Sequence, residues 1–265
     1  MNKLRNKAVI ILVLLLAFGS TACQAEPSAI LTVTNAPTQT STFTPSPTPR
    51  PTETLLPTLA LSATDTKSPT PTAPNPNPTY PESYYISPIV GHKQTYELGC
   101  EASAAVDWAG FFEVPIFEST LQYALPLSDN PDYGFVGEVN TDAWGQIPPY
   151  AYGVHAGPIA EALIEFGLPA RAVTNFSIEE VKYSLSQNKP IIAWVIGNME
   201  FSEPVEYVDN EGRVAIVAPY EHVVILTGYS PTHLRYMNNG KFYDTPIDVF
   251  LTSWGVLGNM AVIYD

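Results

Sequence analysis

The chain has 265 residues, 26 of them proline, with 45% hydrophobic residues and a formal net charge of −14. Only 12 Lys and Arg stand against 26 Asp and Glu, which argues against a nucleic-acid binder and against a polybasic membrane-surface patch, since both need concentrated cations. The prolines crowd into the first third, so the average composition covers an extended part and a folded part.

Residues 1–23 read as an export signal. Lys3, Arg5 and Lys7 form a basic head, and Ala8 to Phe18 form an apolar run too short for an ordinary spanning helix. Gly19-Ser20-Thr21-Ala22-Cys23 is similar to a bacterial lipobox, with Ser20 where leucine is usual. Cys23 is therefore the expected lipidation site, which would hold the protein on the extracellular face of a bacterial membrane. Plain signal-peptidase cleavage, giving a secreted protein, is the alternative. Residues 24–80 are Thr, Pro, Ser and Ala without periodicity, as in STFTPSPTPRPTETLLPT. Such chain cannot form a packed core, and as polyproline II it reaches on the order of 150 Å, enough for a disordered stalk.

Residues 81–265 are the expected folded domain. Tyr84 to Val90 is a candidate strand leading to a loop at Gln94. From Cys100 to Phe112, Ala102, Ala105, Val106, Ala109 and Phe112 recur at helical spacing, which predicts an amphipathic helix ended by Val114-Pro115. A short helix is expected over Glu118 to Ala124. A long loop follows from Ser128 to Tyr150, with Tyr133, Phe135, Trp144, Tyr150 and, just beyond, Tyr152 placed to line a groove or to cover the core. Pro158 to Phe166 predicts a helix with Gly167 as terminator, and Ser177 with Glu180 is a capping box opening another, to about Ser186. Ile191 to Ile196 reads as a central strand, and further strands are expected over 214–217, 223–227, 234–237 and 260–264. Helices early and strands late predict an α+β domain, with an antiparallel sheet behind the helix that bears Cys100.

The chain has two cysteines. With Cys23 removed or lipidated, Cys100 has no intramolecular partner, and an unpaired thiol in an oxidising compartment points to chemistry rather than to a small buried apolar residue. A helix N-terminus favours thiolate and offers N–H donors to a developing oxyanion. Gln94, six residues upstream, supplies a second amide. His222 heads an apolar strand, and Asn238 and Asn239 end the strand after it. That set suffices for nucleophilic catalysis: a thiol, a base and an orienting group.

Six stretches carry a closer likeness: Gln-x5-Cys at 94–100, GCEAS at 99–103, NPDYGFVG at 130–137, YGVHAGPIAEAL at 152–163, KPIIAWV at 189–195 and HVVILTGY at 222–229. Together, over residues 84–265, the chain resembles bacterial papain-like cysteine peptidases of the bacteriocin-processing, double-glycine class and their stand-alone secreted relatives. The resemblance implies a papain-like fold with Cys100 as nucleophile, His222 as base, Asn239 as its orienter with Asn238 the alternative, and Gln94 with the Cys100 N–H as oxyanion hole. It implies peptide or cell-wall peptide substrates, with small residues such as glycine near the cut, and no cofactor. The family places Asp-Pro after the strand where this chain has Asn238-Asn239-Gly240, so the orienting group here is neutral; Asp244 and Asp248 lie beyond the turn. Glu101 is expected on the helix flank. His92, His155 and His233 are expected to be structural or surface residues, no metal-ligand spacing is present, and a monomer is expected. The rival readings are a degenerate domain binding peptides or wall polymer on its stalk, and amidase or transpeptidase chemistry through the same thioester.

Overall fold

A computed structural model describes residues 79–140 and 144–265. The expected export signal, with Cys23, and the linker up to residue 78 lie outside the described residues.

Cys100 opens helix α1 (Cys100–Phe111), which starts after Gly99 with no side-chain cap. The helix ends where the N–H groups of Phe112 and Val114 close on Ala109 O at 3.0 and 3.1 Å, and Pro115 follows. Its residues from Cys100 to Val106, with Trp108 and Ala109, are nearly all buried. An expected amphipathic helix is instead apolar almost all round, and such helices lie inside a domain. It packs on α2 (Glu118–Ala124), α3 (Ala156–Glu165) and the sheet at once. The small residues Ala102, Ala105 and Ala109 are fully buried, letting neighbouring backbones approach.

The sheet contains β1 (Tyr84–Tyr85), β2 (Ala170–Val173), β3 (Ile191–Ile196), β6 (Glu221–Tyr229), β7 (His233–Asn238), β8 (Lys241–Pro246) and β9 (Ala261–Tyr264). Its order is β2-β9-β3-β6-β7-β8, with β1 on β6, and every pair is antiparallel. All six residues of β3 are buried, as its continuous apolar run requires. Helix α4 (Ile178–Ser186) begins at the expected capping box: Ser177 N donates to Glu180 Oε2 at 2.8 Å, and Glu180 N donates to Ser177 Oγ at 3.2 Å. The fold is the expected α+β arrangement.

Several elements differ from the sequence reading. The Tyr84–Val90 strand shrinks to two residues, since Pro88 brings no N–H to a ladder. Strand β8 is mostly exposed, with Lys241 and Asp244 among its six residues, as befits an edge strand, and so lacks a clean apolar signature. Helix α5 (Ile247–Gly255) follows Pro246 directly. Strands β4 (Val205–Val208) and β5 (Val214–Val217) form a separate two-stranded ribbon, of which only β5 was expected. The ribbon rests on its own small cluster of Val136, Tyr152, Ala215 and Val217. The long loop divides its aromatics: Phe135 and Tyr152 are buried, whereas Tyr133, Trp144 and Tyr150 are exposed.

The β7–β8 connection decides the site. Asn238 pairs with Lys241, so Asn239 and Gly240 are a two-residue hairpin loop, at φ 51° and 69°. Both angles are positive, as a type I′ turn demands and as Asn-Gly readily supplies. Asn238 is thereby the last strand residue and Asn239 the first turn residue.

Candidate active site

A cleft of about 410 Å³ is lined by Gln94, Tyr96, Cys100, Trp144, His222 and Asn238, among others. Cys100 comes from the first turn of α1, His222 from the start of β6 and Asn238 from the end of β7. Ile225 pairs with Met237, which sets Asn238 diagonally across from His222, within reach of its side chain. His222 Nε2 and Asn238 Oδ1 are 3.1 Å apart. A carbonyl oxygen only accepts, so Nε2 carries the proton and Nδ1 keeps its lone pair. Asn239 Nδ2 donates to the same Oδ1 at 3.2 Å, which fixes the orientation of the Asn238 amide. Trp144 lies edge-on to the imidazole, with ring centroids 6.3 Å apart, and its Nε1 donates to Glu221 O at 3.0 Å.

Asn239, the preferred orienter from sequence, does not meet His222. Its turn conformation directs Oδ1 to the Gln94 N–H at 2.9 Å, so it holds the loop opposite. Gln94 lines the cleft, but its Nε2 donates to Tyr96 O at 2.9 Å and Glu97 O at 3.2 Å, bracing its own loop. That loop is tied down by His92, whose Nδ1 lies 2.6 Å from Asp107 and whose Nε2 lies 2.8 Å from Glu118. Both Glu118 oxygens also accept from Thr95 N at 3.0 Å. Burial opposes charge on His92, but the two carboxylates prevail and raise its pKa. His155 is buried between Asp132 and Tyr152, and His233 bonds Thr232 at the surface.

Glu101 departs furthest from expectation. It is 1% exposed rather than on a flank. Its Oε2 accepts from the Cys100 thiol at 3.2 Å and its Oε1 from Val154 N at 2.7 Å. Gly153 (φ 121°) makes room, for a Cβ there would overlap Glu101 Oε1. Glu221, also buried, brings a carboxylate oxygen into the same spot: that atom, Cys100 Sγ and a Glu101 oxygen lie within 4.8 Å of one another. Sequence spacing showed no such cluster, yet the fold assembles one. Each Glu101 oxygen accepts one hydrogen bond, and the group stands as an acid pair beside a thiol.

These surroundings set the proton affinities. Burial, then the charges of Glu101 and Glu221, push the Cys100 thiol well above its usual range, against a backbone hydrogen bond at Val223. Burial raises Glu101 to about 7. Burial and Glu101 raise Glu221 well above the carboxylate range. Burial lowers His222, with Asn238 opposing. The resting pair is a neutral thiol and a neutral imidazole.

Residues 86–262 match the Peptidase_C39-like family. The chain belongs to that family. Among solved structures this C39-like chain is similar to a C39-like peptidase candidate from Bacillus anthracis, at 21% identity and TM-score 0.62, over 70% of this chain and 98% of that one. More distant are a double-glycine-motif protease from an AMS/PCAT transporter, 15% identical (TM-score 0.42, 68% and 93% covered), and xylellain, a cysteine protease from Xylella fastidiosa, 14% identical (TM-score 0.40, 71% and 87% covered). No curated protein matched the sequence. The family makes the chain a peptidase of the cysteine class, and the first of these structures shares its papain-like α+β fold.

In this C39-like domain, sequence reasoning reached Cys100, His222 and the Asn pair, and offered Trp144 as lining a groove, but missed Glu221 and the buried position of Glu101. Glu221 directly precedes His222 and carried no separate signal. Glu101 within GCEAS was legible only as a neighbour of the nucleophile.

Proposed function

We propose that the protein is a cysteine hydrolase of peptide bonds acting through a thioester at Cys100. The observation that carries this reading is the convergence of Cys100, His222 and Asn238 on one cleft, with His222 Nδ1 unprotonated. In the first step the Cys100 thiol gives its proton to His222 Nδ1 while Sγ attacks the substrate carbonyl carbon. The oxyanion takes hydrogen bonds from the Cys100 N–H and from Gln94, once the Gln94 amide leaves one of its loop carbonyls. Imidazolium then protonates the departing amine, leaving the acyl group on sulfur. Water attacks the thioester, its proton passing to His222, and the acid leaves as the thiol is restored.

The substrates in this reading are peptides or cell-wall peptides, met outside the cell by a domain that Cys23 anchors through a lipid and the Pro-rich stretch holds away from the membrane. The export signal and lipobox-like stretch support the anchoring, and Cys23→Ala should release the protein from the membrane fraction.

A second reading, a binding domain without turnover, has one observation in its favour: the thiol is buried beside two acids and strongly held to its proton. The two are separated by labelling with a peptide carrying a thiol-reactive electrophile. A hydrolase forms the Cys100 adduct and loses it in Cys100→Ala, with labelling strongly slowed in His222→Ala. Peptide binding at equal affinity with no adduct selects the binding domain.

A further inference from the structure

Beneath the nucleophile lie two carboxyl groups and, among the described residues, neither forms an ion pair. Glu101 comes from α1, with Cys100 beside it, and Glu221 comes from β6, with His222 beside it. The segment at 152–155 packs against them and brings Tyr152 and His155, behind which stands Asp132. None of these groups supplies a fixed positive charge. Two carboxyl groups with oxygens within 4.8 Å of one another at a buried site do not both ionise readily, because each raises the cost of charging the other. Glu101 accepts two hydrogen bonds, from Val154 N and from the Cys100 thiol, and so suits the ionised form. Glu221 Oε1 has no partner of its own among the described residues, which suits the protonated form.

We propose that Glu101 and Glu221 share a single proton and that the one negative charge they retain, held against the sulfur by Glu101, sets the ionisation of Cys100. Both are positioning residues for the thiol. The inference rests on the reading of Cys100 as nucleophile. Forming thiolate at Sγ would place a second negative charge 3.2 Å from Glu101 Oε2, so the retained charge keeps the thiol protonated until its proton passes to His222. The burial that lifts the acids and the thiol together is consistent with this coupling.

The test is the pH dependence of Cys100 alkylation by iodoacetamide, followed by mass spectrometry in the full chain with Cys23→Ala, so that one thiol reports. Alkylation reads the thiol whether or not the protein hydrolyses anything, so failure of the peptidase reading leaves the result standing. E101Q keeps the Val154 acceptor and removes the charge, leaving Glu221 alone and protonated. Its apparent thiol pKa should fall by a unit or more, with alkylation at pH 7 about tenfold faster. E221Q leaves Glu101 ionised, so it should react no faster than the parent. Equal acceleration in both variants would mean two separately charged acids, and no change in either would mean that the acids do not control the thiol; each result overturns the proposal. Should E101Q fail to fold, difference infrared spectra decide: a protonated carboxyl band at about pH 8.5, above the value of about 7 for Glu101, should be present in the parent and absent in E221Q, and a parent without it overturns the shared proton.

Discussion

The His222 imidazole is oriented by Asn238 Oδ1 across 3.1 Å, while the adjacent Asn239 faces the other wall of the cleft. A neutral amide fixes the tautomer but stabilises imidazolium less than a carboxylate would. In the wild type the His222 pKa should lie below 6.5, its ordinary value. Asn238→Asp should raise it by about one unit or more, read from the ring carbon-bound proton shifts by NMR. Asn239→Asp should leave that titration nearly unmoved and instead weaken the Gln94 loop. The opposite pattern would return the orienting role to Asn239.

His92 ties the Gln94 loop to α1 and α2 as imidazolium, donating from Nδ1 to Asp107 and from Nε2 to Glu118. His92→Gln keeps one such link at best, so the loop wall should loosen. The expected result is a several-fold rise in KM with a small change in kcat. Because His92 has a raised pKa, its ionic tie is complete below about 6.5 and is lost as pH rises through the raised value. The parent's KM should therefore drift upward on the alkaline side, and the variant's should not.

Stability should also decline with alkalinity. Glu101 titrates at about 7 when folded against an ordinary 4.5, so the folded state holds a proton that the unfolded chain has released. The contribution is full below about 4.5 and is lost as pH rises through 7. Asp209 has the opposite sign. Burial opposes its ionisation, but hydrogen bonds from Arg213 and Asn130 prevail and hold it at about 2, so its contribution is lost only as pH falls below 3.8 toward that value. Urea unfolding should give maximal stability near pH 4 to 5, and E101Q should flatten the alkaline decline. A stability rising from pH 5 to 8 would contradict the buried acids.

Gly153→Ala should be severe. The new Cβ would overlap Glu101 Oε1 and the residue would keep a positive φ. A loss on the order of 3 kcal/mol is expected, from strain and displacement together, measured by urea unfolding. Gly167→Ala, with positive φ but open space around its Cβ, should cost less.

Much of this was legible because local chemistry and tertiary structure agree. The Ser177–Glu180 capping box, the apolar run at 191–196 and the cysteine at a helix start each announce themselves within a few residues. The Asn pair shows where such reading ends. Choosing between Asn238 and Asn239 required the hairpin register, and only the Asn239-Gly240 turn, not the segment's likeness to a family pattern, assigns the strand position to Asn238. The acid pair was illegible for another reason. Glu101 and Glu221 are 120 positions apart, and a buried carboxyl without a cation contradicts the ordinary expectation that Glu is solvated. Strand β4 escaped because four residues, Val205 to Val208, are too few to show alternation, and β8 because an exposed edge strand mixes Lys241 and Asp244 with its aromatics.

The β4–β5 ribbon has a consequence for how the domain opens. Only Val136, Tyr152, Ala215 and Val217 are buried in its cluster, so it should be the first region to lose amide hydrogen-exchange protection, well before β3 and β6. Tyr152 belongs to that cluster, and two residues later Val154 donates to Glu101. A fluctuation of the ribbon would have only two residues of backbone to cross before reaching the acid beside the nucleophile. A ligand clamping the ribbon would quiet that fluctuation from outside the cleft, and so tune the thiol without touching it.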